Sequence, residues 1–174
     1  MRFPLIVAVG IAALAGCGKE IGDACYTNTE CDPNAGQRIC ARQGGEEGGY
    51  CTILGCDYNT CPEESACIRF FTGGFTNRPC NHLTEDVYAP GATTPASDDC
   101  SLDELCSLEG LCVPRSSESR YCMATCSDDG DCRDGYECRD LELMIAHGGE
   151  PVLAPGKPVD KSAPKFCATK PLKK

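Results

Sequence analysis

The chain has 174 residues, 17 of them cysteine and none tryptophan, with 16 basic against 26 acidic residues and a formal net charge of −10. An acidic body disfavours nucleic acid and bare anionic membrane as partners. With about one residue in ten a cysteine, the composition fits a disulfide scaffold and not a domain built round large apolar side chains.

Met1 and Arg2 give a short positive start, and residues 3–14 are uncharged and, apart from Gly10, apolar. A helix that crosses a bilayer needs about 20 residues, so residues 1–16 read as a signal peptide instead. Leu14, Ala15, Gly16 and Cys17 close it. They resemble the bacterial lipobox, in which a cysteine thiol takes a diacylglycerol and the peptide is cut just ahead of it. The resemblance implies lipidation of Cys17, a tether over residues 17–24, and attachment to the cell envelope through the lipid. Two or more fatty chains anchor stably, at about 0.8 kcal/mol per buried CH₂. Gly18 and Lys19 follow the cysteine, with no Asp. By resemblance to enterobacterial sorting this implies the outer membrane, facing the periplasm or the surface.

Setting Cys17 aside leaves sixteen cysteines, an even number, and export makes oxidation the expected state. They fall into four consecutive groups: Cys25, Cys31, Cys40 and Cys51; Cys56, Cys61, Cys67 and Cys80; Cys100, Cys106, Cys112 and Cys122; Cys126, Cys132, Cys138 and Cys167. The recurring unit is C-x5-C-x5-C followed later by a fourth cysteine. Three pairings are open within a group. First with third and second with fourth cross-links a compact loop and is the expected one, each of eight bridges contributing about 2–4 kcal/mol. Structural zinc and thiol redox sites use C-x-x-C pairs. None occurs here, the nearest being Cys122 and Cys126. No metal and no cofactor is expected.

In chain order, residues 25–80 form a first cysteine-rich lobe of two modules. Residues 81–99, free of cysteine and rich in Ala, Thr and Pro, read as a flexible linker. Residues 100–167 form a second lobe of two modules, and residues 168–174 a basic tail. A helical turn is expected over residues 101–105, with Ser101 as N-cap and Glu104 three residues on. Asp129-Gly130 and Asp134-Gly135 mark turns. A hairpin is expected from residues 141–146 back through 151–154, across His147, Gly148 and Gly149. Residues 155–164, with three prolines, read as extended. The fold class is small and disulfide-rich: tandem cysteine-stapled modules with short β-hairpins and little regular secondary structure.

Catalytic candidates are few. His82 and His147 are the only histidines and sit in no recognisable motif; they are expected to be exposed loop residues. The densest acidic run lies between Cys126 and Cys138. It resembles the calcium segment of low-density-lipoprotein-receptor class A modules, with Asp129, Asp131 and Asp134 on three acidic positions. The match fails where Cys138 stands in place of the last acidic ligand. Calcium takes six to eight oxygens, so turn acids are the expected reading. Charge is divided unevenly: residues 18–150 hold 9 basic and 25 acidic residues, a net of −16, while residues 151–174 hold 6 lysines and 1 Asp, a net of +5.

The cysteine spacing, with phrases such as Asp131-Cys132-Arg133-Asp134-Gly135-Tyr136-Glu137-Cys138, resembles cysteine-rich units of surface lipoproteins from myxobacteria. It loosely resembles the N-terminal cysteine-rich domain of Dickkopf proteins. It covers residues 25–138. The resemblance implies a membrane-anchored, extracytoplasmic and non-catalytic protein, a surface binding, adhesive or structural module whose partner is an envelope or extracellular protein or polysaccharide. The alternative is an inhibitor or toxin-like effector on the same scaffold, for which a covalent lipid is ill suited.

Overall fold

A computed structural model describes residues 18–42, 48–73 and 76–171. Residues 1–16, expected to be a signal peptide, and Cys17 lie outside these residues. Every strand is short. β1 (Ala24–Cys25), β2 (Arg38–Ala41) and β3 (Gly49–Ile53) form an antiparallel sheet in the order β1-β3-β2. β4 (Ser65–Phe71), β7 (Glu118–Ala124) and β9 (Glu150–Pro151) form a second, in the order β7-β4-β9. β5 (Glu104–Cys106) pairs with β6 (Cys112–Pro114), and β8 (Tyr136–Arg139) with β10 (Phe166–Thr169). The two helices are α1 (Asn28–Cys31) and α2 (Leu141–His147). The fold is small and disulfide-rich.

The bridges give the architecture. They are Cys25–Cys40, Cys31–Cys51, Cys56–Cys67, Cys61–Cys122, Cys80–Cys106, Cys100–Cys112, Cys126–Cys138 and Cys132–Cys167. First with third and second with fourth holds throughout, but not for four consecutive groups. The second unit is Cys56, Cys61, Cys67 and Cys122, and the third, Cys80, Cys100, Cys106 and Cys112, is inserted into its last gap. In each unit two cysteines face each other in register across an antiparallel strand pair: Cys40 and Cys51, Cys67 and Cys122, Cys106 and Cys112, Cys138 and Cys167. Each of these bonds backward to an earlier cysteine of its unit instead of across the ladder.

The nesting overturns the two-lobe reading. Cys61–Cys122 and Cys80–Cys106 join residues on either side of 81–99, and β4 pairs along its whole length with β7. Residues 81–99 are a loop inside the third unit. The loop closes on itself through Ala96 N to Val87 O and Ser97 N to Thr84 O. Its anchor is Glu85, whose buried carboxylate accepts from the amides of Asp99 and Cys100 and the hydroxyl of Ser97. A run of Ala, Thr and Pro without cysteine looked mobile; one buried acid with three donors fixes it.

The largest core draws on all four units, beside two small clusters of buried cysteines in the first and third. Ile68 and Phe166 are fully buried, with Ile21, Leu108, Met123, Met144 and Val159 around them. Residues 18–24 are therefore no free tether: Ile21 is in the core and Lys19 N donates to Glu30 O. The basic tail is also shorter than expected, since β10 carries residues 168 and 169. The first sheet joins the second through the Leu54–Tyr121 bridge just past β3 and through side chains. Thr52 is fully buried and its hydroxyl donates to Cys122 O at 2.8 Å, while the Tyr50 hydroxyl accepts from Ala124 N at 2.8 Å. These bonds satisfy the outer edge of β7, which would otherwise present unpaired backbone groups.

The first arm of the expected hairpin, residues 141–146, lies in helix α2, and the return arm starts in β9, which pairs with β4 instead. Asp140 caps α2, accepting from Leu143 N at 3.1 Å, and Gly148 ends it at φ 80°. Between them stand Leu, Glu, Leu, Met, Ile and Ala, residues of good or fair helix propensity. Met144 is buried and Leu141, one turn back, packs against the core. Gly149, also at positive φ, turns the chain into β9. A β-carbon there would lie 2.7 Å from the Phe70 ring and 2.9 Å from Phe166. At Ser101 the expected helical turn is a non-helical turn leading into β5, with Ser101 N donating to Glu104, Glu104 N to Ser101 O, and the Ser101 hydroxyl accepting from Arg78. Residues 155–164 are irregular and bury Val159.

Candidate functional site

Strand side chains alternate between faces, and three units turn one face to a common groove. β3 contributes Tyr50 and Thr52, β7 contributes Ser119, Tyr121 and Met123, and the end of β4 contributes Phe70 and Phe71. β8 adds Tyr136 and Arg139, α2 adds His147, and β10 adds Ala168 and Thr169. The hollow measures about 500 Å³. Phe70, Phe71 and His147 also border an adjoining hollow of about 450 Å³ beside Leu108 and Met144.

Aromatic contacts fix the walls. Tyr50 and Tyr136 stack at 5.4 Å between centroids, and the Arg133 guanidinium lies over both rings, 5.5 Å from Tyr50 and 4.2 Å from Tyr136. Arg133 also bonds Gly49 O at 2.8 Å and the Tyr136 hydroxyl. Phe70 meets Tyr121 and Phe166 edge to face, at 6.1 and 6.2 Å. Edge-to-face and offset-stacked pairs are the favoured arrangements for rings carrying opposed quadrupoles. Burial pushes the Tyr50 phenol well above its usual range, so it stays neutral in the wall.

The polar end of the groove is one network. Arg139 donates through Nε to Glu137 Oε1 at 3.0 Å, through Nη1 to the carbonyls of His147 and Gly148, and through Nη2 to Thr169 O. It thereby caps the C-terminal end of α2 with a positive charge, where the helix dipole favours one. Burial pulls its guanidinium down, opposed by Glu137. His147 Nδ1 lies 2.6 Å from the same Glu137 oxygen. His147 is exposed, as expected, but it ends a helix instead of lying in a loop, and its ring is held on Glu137. Glu137 and Arg139 alternate on one strand, but nothing in the sequence tied them to a histidine ten residues on. A nucleophile–base pair needs a hydroxyl or thiol against the ring; among the described residues the His147 ring bonds to Glu137 alone.

The other sequence candidates lie elsewhere. His82 sits half-buried at a separate cavity, where burial pulls its imidazole below the usual range. In the acidic run, Asp128 Oδ1 accepts from Gly130 N, Asp129 Oδ1 from Cys138 N, and Asp131 Oδ2 from Ser127 N and Asp128 N. Asp128 and Asp131 cap the 3₁₀ turn at Asp129–Asp131, Asp129 ties it to β8, and all three point at backbone amides. Asp134 joins none of these bonds. Elsewhere Glu85, Asp86 and Asp98 bring carboxylate oxygens within 4.8 Å of one another, with Glu85 already bonded to Ser97, Asp99 and Cys100. The cysteine clusters are the disulfides themselves.

Comparison with protein-family models, curated proteins and solved structures returns no match to this chain.

Proposed function

We propose that this chain is an exported lipoprotein held in the cell envelope through a lipid on Cys17, and that it is a non-catalytic module whose aromatic groove receives a protein partner of the envelope or the cell surface. The groove lining carries the reading. Five of the nine described aromatic residues line it, with Met123 and Arg139, and among the described residues of this acidic chain no Asp, Glu or Lys does. Aromatic, Met and Arg enrichment with loss of Lys, Glu and Asp is the composition of protein–protein interfaces. Eight disulfides support an oxidising, extracytoplasmic location. They also hold the walls in place before binding, which reduces the ordering cost. The anchor rests on Leu14, Ala15, Gly16 and Cys17, and a tethered protein suits a surface binder better than a diffusible inhibitor.

Cells carrying a photo-cross-linking residue at Ser119 test the binding role. The expected result is a protein adduct that is lost in Phe71→Ser and absent when the probe replaces the exposed Tyr58. An adduct unchanged by Phe71→Ser, or one removed by glycosidases and not by proteases, overturns it. The anchor is tested by Cys17→Ser, which moves the protein from the membrane to the soluble fraction; unchanged fractionation without lipid mass on the N-terminal peptide refutes it.

A further inference from the structure

A second cavity, about 420 Å³, lies between the 81–99 loop, β5 and residues 150–159, where the second, third and fourth units meet. Its floor is an ion pair. Arg69 of β4 and Glu150 of β9 are register partners in the antiparallel sheet. Arg69 Nε donates to Glu150 Oε1 at 2.8 Å, and Leu108 N donates to Glu150 Oε2 at 3.1 Å. Side-chain exposure is 17% for Arg69 and 4% for Glu150. Burial pushes the Glu150 carboxyl up, with Arg69 and the Leu108 amide pulling the other way.

The pair is incomplete on one side only. Both carboxylate oxygens of Glu150 have donors. A guanidinium carries five N–H donors, and here Nε alone is engaged. Arg69 lies beside the Phe71 ring, 5.8 Å from its centroid, and its Nη atoms bond to no described residue. Carboxylate and guanidinium usually meet as a fork with two parallel bonds; the use of Nε leaves the Nη edge free for a second acceptor. Around it Val87, Leu105, Leu108, Val152 and Leu153 give stretches of apolar wall, with His82, Glu85 and Asp86 as polar neighbours. At the rim Lys157 supplies positive charge in a body that is strongly acidic overall, while Arg115 pairs with Asp86 at 4.0 Å.

We propose that this cavity binds a small monocarboxylate with an apolar tail, the carboxylate on the Nη edge of Arg69 and the tail against the Leu and Val walls. A cavity with apolar walls and a few convergent polar groups is the usual form of a small-ligand site. A planar monoanion fits the guanidinium fork. A dianion would meet Glu150, Glu85 and Asp86, which all border the cavity. A free short-chain acid and the C-terminus of a peptide share this chemistry, and the site is independent of the aromatic groove.

Titration of the oxidised mature chain in detergent with hexanoate, with hexan-1-ol, and with an N-acetylated Val-Leu dipeptide tests it. Hexanoate or the dipeptide should bind saturably, shifting the methyl resonances of Leu105, Leu108 and Val152, and hexan-1-ol at least tenfold more weakly. Whichever acid binds more tightly identifies the source. Arg69→Lys keeps the charge and the Glu150 pair but removes the fork; affinity should fall about tenfold while the melting temperature holds. Equal binding of alcohol and acid, or no shift at these methyls, overturns the proposal without reference to any variant. Shifts at Met123 of the groove in their place overturn it as well.

Discussion

Carboxylates in this protein work mainly as acceptors for backbone amides. Asp131 is the clearest instance. The amides of Ser127 and then Asp128 hold its carboxyl below the ordinary value of 3.8. A folded value below the unfolded one adds stability that is present above 3.8 and is lost as the pH falls through the folded value. Asp131→Ala should therefore lower the urea midpoint at pH 7, and the difference from the parent should disappear toward pH 2. A difference that persists at pH 2 would mean that the side chain acts through packing. Calcium should leave the melting temperature unchanged, because Asp129 and Asp131, two of the three matched acids, already face amide hydrogens; a stoichiometric calcium heat abolished by Asp131→Ala would refute this. None of this was legible beyond the presence of turn acids, since sequence cannot distinguish a carboxylate aimed at solvent from one aimed at its own backbone.

At the scale of elements, α2 and the Gly148–Gly149 turn position the polar end of the groove. Asp140→Ala removes the cap that accepts from Leu143 N and should cost about 1 kcal/mol, read as a shift in denaturant midpoint. Gly149→Ala places a β-carbon 2.7 Å from Phe70 at a φ of 82°; backbone strain and overpacking of that kind cost about 1–3 kcal/mol each. Because Phe70 lines the groove, this variant should also shift the resonances of Tyr121, and intact Tyr121 signals would place the strain elsewhere. The segment was misread as a hairpin because Leu141, Leu143 and Ile145 alternate with Glu142 and Met144 as strand residues do. Its capping residue and glycine stop were equally visible and describe what forms. The groove was not legible at all. Tyr50, Phe70, Phe71, Tyr121 and Tyr136 are spread over 87 positions from first to last, and only the pairing of β4 with β7 and the placing of β8 beside them bring the rings together.

For the whole molecule, the nested third unit decides whether there is one body or two. The sequence carried the local rule, first with third and second with fourth, because short loops between cysteines admit few closures. It did not carry the grouping, since Cys80 and Cys122 exchange places between units through a strand pairing, β4 with β7, that spacing alone cannot reveal. The exchange ties residues 56–67 to 122 and surrounds the 81–112 insertion, so the aromatic groove and the Arg69 cavity both lie between units that disulfides hold in fixed relation. Each bridge contributes about 2–4 kcal/mol, and with so few large apolar side chains the oxidised connectivity is the fold. Digestion of the oxidised protein under non-reducing conditions, followed by mass spectrometry of the linked peptides, measures that connectivity directly. The predicted result is a peptide joining Cys61 to Cys122 and another joining Cys80 to Cys106; peptides joining Cys61 to Cys80 and Cys106 to Cys122 would contradict the single body and restore two independent lobes.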